Sequence, residues 1–204
     1  MLQEFVQEIN NLIKKNIRGV HTAVPGKIVS FDPATCLATV LPEMKFKKPD
    51  GSTMAYPQIT GVPVVFLQTM NQQATVAFPI KAGDGCLIIV SEQSIDYWMY
   101  GQETDTDLAF DLTNAICIPG LFVKPNPVVK DACDNNAIIV DVKGTRITVK
   151  KDLVQIDSKK VKINGDIEVD GSITATKDII ASSRVSLTKH THTGDSGGST
   201  SSPK

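Results

Sequence analysis

Ile138-Ile139-Val140-Asp141-Val142-Lys143-Gly144-Thr145-Arg146-Ile147-Thr148-Val149 carries the pattern that decides the fold. Apolar residues stand two apart at Ile138, Val140 and Val142, and again at Ile147 and Val149, across Lys143-Gly144. A period of two is that of a strand with one apolar face. The same spacing returns at Val154/Ile156, Val161/Ile163, Ile167/Val169, Ile173/Ala175 and Val185/Leu187. Between the pairs lie Lys151-Asp152, Ser158-Lys159-Lys160, Asn164-Gly165-Asp166 and Asp170-Gly171, all of turn-forming composition. Residues 137–189 therefore read as a repeat of very short strands.

Such strands cannot bury themselves in one chain, because no helix or second sheet follows to cover their apolar faces. Three chains wound about an axis solve the problem: Val and Ile point inward, and strand edges pair between chains. A narrow three-chain prism has no room for rings. All seven Phe, all three Tyr and Trp98 fall at or before Phe122, in keeping with that geometry. The alternatives are a single-chain β-domain and a disordered tail, and the high Val and Ile content opposes the tail.

Upstream, residues 1–19 form a segment of their own. Leu2, Phe5, Val6, Ile9, Leu12, Ile13 and Ile17 recur at steps of three and four, the mark of an amphipathic helix, and Gly19 ends it. The helix either covers its own domain or docks on a neighbouring subunit or tail protein. Residues 20–120 alternate strands and turns: Ile28–Phe31 and Leu37–Leu41 flank Asp32-Pro33-Ala34-Thr35, and Lys48-Pro49-Asp50-Gly51 marks a second turn. Val62–Phe66, Ala74–Phe78 and Cys86–Val90 complete about five strands, which suggests a small barrel of the OB type. Residues 121–136 read as a linker held extended by Pro125 and Pro127. The fold class is thus mainly β: a helix, an OB-fold barrel and a trimeric needle.

The net charge of −1 gives no reason to expect nucleic acid. No apolar run approaches the ~18 residues of a membrane span, and Glu4 and Glu8 argue against a secretory signal peptide. Cys36, Cys86, Cys117 and Cys133 lack metal-ligand spacing. The first three sit in apolar runs and are expected to be buried; Cys133 is the one plausible reactive thiol.

His190-Thr191-His192 precedes a Gly/Ser-rich tail, and residues 190–204 form the tip. Alone, His-x-His is a weak metal motif. In a trimer, three inward-facing copies place six imidazoles around one axis. Six nitrogens suit an octahedral ion such as Fe²⁺ better than tetrahedral zinc.

Several runs resemble the central spike, or membrane-puncturing, proteins of contractile phage tails and related bacteriocins. They are Pro25–Pro33, Gly61–Phe66, Phe78–Asp84 and Ile95–Trp98, followed by Lys189-His190-Thr191-His192-Thr193-Gly194. The resemblance implies an OB-fold domain, a triple-stranded β-helix, and one iron ion per trimer bound by His190 and His192 of each chain. It further implies a homotrimer on the tail axis of the virion baseplate, assembled in the host cytoplasm. Its barrels would meet a hub or tail-tube protein, and its tip the host envelope or outer membrane.

Rival functions fit less well. His21 has no nucleophile pattern near it, so no catalytic residue and no enzyme are expected. Tyr97, Trp98 and Tyr100 could serve an OB-fold nucleic-acid site, but Asp96, Glu92 and Glu103 surround them, and structural packing is the expected role. A fibre or adaptor that binds a receptor without piercing would call for a broad tip domain, whereas only a small polar tail follows His192.

Overall fold

The computed structural model describes residues 2–48, 50–101, 108–181 and 185–202. The chain divides into two compact units, Met1–Asp131 and Ala132–Lys204. It is mainly β with few helices.

In the first unit, α1 (Leu2–Arg18) closes with Gly19 donating to the Asn16 carbonyl at 3.1 Å. Nine strands follow: β1 (Ala23–Asp32), β2 (Leu37–Pro42), β3 (Lys45–Lys47), β4 (Thr53–Ala55), β5 (Ile59–Pro63), β6 (Leu67–Thr69), β7 (Ala74–Val76), β8 (Gly85–Val90) and, after the short α2 (Asp96–Tyr100), β9 (Ala115–Pro119). Five of them make one antiparallel sheet in the order β5-β2-β1-β8-β9. The hairpins β3–β4 and β6–β7 are excursions from it. Ala74–Phe78, expected as a main strand, therefore lies partly in a side hairpin, and the fifth sheet strand is β9.

The sheet curls into a half-barrel. β1 pairs with β8 over Ala23–Lys27 and with β2 over Gly26–Asp32, with its register broken between Ile28 and Ser30. That irregularity lets one strand bend and serve two neighbours. The outer strands then approach: Val64, just past β5, bridges Cys117 of β9 in parallel, and the Val65 amide donates to the Cys117 carbonyl at 2.9 Å. Alternate residues of β2 and β8 are buried, and Ile28, Val40, Cys86, Ile88 and Cys117 are fully enclosed. The Asp32 turn closes as expected, its carboxylate accepting from the Ala34 amide and the Thr35 hydroxyl at 2.9 Å each.

Cys36 departs from expectation. It is exposed, because it ends this turn in the left-handed region (φ 56°), which turns its thiol away from the core. Gly26 is demanded by packing, since a Cβ there would stand 2.6 Å from Ile88 Cδ1 and 2.8 Å from the Leu41 carbonyl oxygen. Gly26→Ala should lower stability by about 1–3 kcal/mol, as overpacking does. Urea denaturation of the full chain would read this as a lower midpoint; an unchanged midpoint would contradict the packing described.

The segment expected to be an extended linker carries a helix, α3 (Pro127–Asn135). Asn126 is its cap: its side-chain oxygen accepts from the Val128 amide at 2.9 Å. Pro127 then occupies the first helical position, where the missing amide costs nothing.

In the second unit, β10 (Ile138–Val142), β11 (Thr145–Lys150) and β12 (Leu153–Asp157) form an antiparallel meander. Lys143 and Gly144 both have positive φ, 50° and 94°, as a two-residue hairpin turn of the primed type requires. The register aligns Ile138 with Val149 and Val154, and Val140 with Ile147 and Ile156, on one face. On the other face, Asp141, Arg146 and Asp157 fall in one row. Among the described residues of the unit nothing covers the apolar face: its six ladder residues are 40–71% exposed. Among the described residues, every buried hydrophobic lies between Ile28 and Cys117, so the second unit has no core of its own.

Residues 158–179 form no strand, and their run is broken by bends at Lys159, Gly165, Asp170-Gly171 and Thr176-Lys177. Val161/Ile163, Ile167/Val169 and Ile173/Ala175, expected as strand pairs, have no ladder within this chain. The minor strands β13 (Ile180–Ala181) and β14 (Val185–Ser186) pair beyond them.

Candidate functional site

The tip is built on β14. Leu187 donates to the Ile179 carbonyl at 2.9 Å, and Thr188 donates to Asp178 Oδ1 at 3.1 Å. Hydrogen bonds from Ser186 and the Thr188 amide hold the Asp178 carboxyl below the usual carboxylate range. The turn Ser186–Lys189 is tightened by the Lys189 amide, which donates to Ser186 Oγ at 2.9 Å. His190 is thereby delivered with its amide on the Ser186 carbonyl at 3.0 Å.

His190 Nδ1 lies 2.7 Å from the same carbonyl oxygen. A carbonyl only accepts, so Nδ1 carries a proton; in the neutral ring, Nε2 then keeps its lone pair for a ligand. Metal-binding histidines are commonly oriented by such a bond from the other ring nitrogen. The His192 ring stands beside it, centroids 5.1 Å apart and nearly perpendicular at 89°. The spacing thus brings both sequence-predicted site residues together.

The tail folds back beside them. His192 donates to Thr200 Oγ1 and Thr200 donates to the His192 carbonyl, each at 2.8 Å, and Thr193 bridges Ser199. Gly197 (φ 78°) permits the turn that joins the two limbs. His192 is therefore fixed on both sides by backbone ties.

Two imidazoles from one chain do not fill a coordination shell. Among the described residues, no group of three or more His, Cys, Asp or Glu side chains converges. The donor set fits an iron ion only where further copies of the chain bring more nitrogen ligands; within that condition the tautomer of His190 suits it.

The other singled-out residues take structural or surface positions. His21 donates its amide to the Phe110 carbonyl at 3.1 Å and meets Tyr56 edge-on at 6.0 Å. Cys86 and Cys117 are buried against each other, which pushes the Cys117 thiol up and leaves it inert at neutral pH. Cys133 is exposed. Tyr97, Trp98 and Tyr100 do not pack as expected: they are 59–73% exposed, because α2 is anchored through the buried Ile95 and turns its rings outward.

An apolar cleft of about 480 Å³ was not foreseen from the sequence. It is lined by Phe31, Pro33, Cys36, Phe66, Phe78 and Ile80, with the Phe66 ring 6.1 Å from Phe31 and 5.3 Å from Phe78. Phe31 and Phe78 each end an apolar run at a turn or proline, which is the signal that could have found it.

Residues 24–120, the half-barrel, match the family model described as the phage protein Gp138 N-terminal domain. No curated protein matches the chain. The match supports a phage structural protein, a component of the virion. No described helix is long and apolar enough to cross a membrane.

Proposed function

We propose that this chain is the cell-puncturing central spike of a contractile tail, acting as a homotrimer that pierces the host envelope and catalyses no reaction. The observation that carries the reading is the coreless second unit. It presents two in-register apolar rows with no covering layer among the described residues of the unit. Apolar surface of that extent marks an interface, and a needle of three wound chains closes all of it at once. Residues 158–179 would then find their ladder partners in the other two copies.

Two features support the rest of the assignment. The strand order β5-β2-β1-β8-β9, with its edges meeting at Val64 and Cys117, is what an OB-type barrel requires. Such barrels would sit against a hub or tube protein at the baseplate, in line with the phage family match. At the other end, His190 and His192 of three chains would hold one iron ion. With six nitrogens around it, the metal would leave no open position for a reactant, so its role would be to pin three strand ends together.

Location discriminates this reading from a receptor-binding fibre. An antibody against residues 132–204 should label the distal end of the tail axis in particles that carry the chain. Label on lateral fibres, or none on the axis, would contradict the spike.

A further inference from the structure

We propose that α1 is the core of a parallel three-helix bundle formed with α1 of two further copies of this chain, a second trimer contact besides the needle. The inference rests on the trimeric reading above. Phe5, Val6, Ile9, Leu12, Ile13 and Ile17 are 40–65% exposed, and none belongs to the core cluster of the half-barrel. The helix thus carries an apolar stripe that the described residues of its unit do not cover.

The heptad says what covers it. With Val6 and Ile13 at a, and Leu2, Ile9 and Asn16 at d, all five charged residues fall at b, c or f: Glu4, Glu8, Lys14, Lys15 and Arg18. Phe5 and Leu12 flank the seam at g; on the e side Ile17 is apolar, while Gln3 and Asn10 are polar but uncharged. No charge stands at a, d, e or g, so the face that two neighbours would cover is free of charge, and the charges are confined to the outer face. Ile at both a and d, here Ile13 and Ile9, shifts the preference from two strands towards three or more.

At 17 residues, about 25 Å long, α1 is marginal as an isolated helix. Chains already tied into a trimer by the needle would supply the local concentration that lets the bundle form. A partner of another kind would not require a threefold heptad.

The test uses the full chain with the exposed thiols removed by Cys36→Ser and Cys133→Ser. Ile9→Cys (d) and Ile13→Cys (a) are compared with Gln7→Cys (b, outer face) under a mild copper oxidant, alongside the native mass. Packing at the seam predicts inter-chain disulfides at both seam positions, on the order of ten times more than at Gln7. A native mass of three chains with no such excess at either position overturns the bundle and leaves the spike standing. A native mass of one chain overturns the spike, and the bundle with it.

Discussion

Ile147→Asp should reduce the assembly to single chains while the half-barrel stays folded. Ile147 stands at the centre of the row Val140–Ile147–Ile156, the middle of the apolar face. In a three-chain needle the substitution removes an apolar contact of about 1.5–3 kcal/mol from each copy. It also brings three carboxylates towards one axis, where each buried and unpaired charge costs several kcal/mol more. The summed penalty, on the order of 10 kcal/mol per trimer, exceeds what a short needle can absorb. Thr148→Asp is the matched control, one residue along and on the opposite face, and should leave the assembly intact. Light scattering reads both; an Ile147→Asp chain that keeps its partners would show that the ladder is not the interface.

The second large effect concerns the tip. Replacing both His190 and His192 with Ala should take the metal content from one ion per three chains to none. The melting temperature should fall with it, because an ion that binds only the folded assembly stabilises it by RT ln(1 + [L]/Kd), about 4 kcal/mol at a thousandfold excess over Kd. His192→Ala alone would leave three nitrogens in place of six, and should weaken metal retention without abolishing assembly. Elemental analysis of protein purified without added metal is the measurement. A wild-type chain that carries no metal, or a double variant that carries as much as wild type, would remove the tip assignment.

Sequence made plain those features whose cause is local. The helical stripe of α1, the turn at Asp32, the Lys143-Gly144 hairpin and the parity of β10, β11 and β12 all follow from spacing and turn chemistry, and the structure has each of them. The same parity at Val161/Ile163 and Ile173/Ala175 produced no strand, because spacing sets which face is apolar and does not supply a ladder partner; among the described residues none pairs with them. At α3 two prolines suggested an extended chain, whereas the cap supplied by Asn126 makes Pro127 a helix start. Cys36 and the α2 rings show the complementary difficulty: an apolar neighbourhood in sequence does not fix which way a turn residue or a short helix faces. At the tip, the pairing of His190 with His192 was readable from their spacing. The backbone ties to Ser186 and Thr200 that orient them depend on tertiary folding and were not.

One measurement bears most directly on the central claim, that the second unit is built to be completed by other copies of itself. The native mass of the purified 204-residue chain, by light scattering or sedimentation equilibrium, should be three times the 22.0 kDa of one chain. It should stay at that value as the protein is diluted. A mass equal to a single chain, with the second unit still folded, would contradict the account.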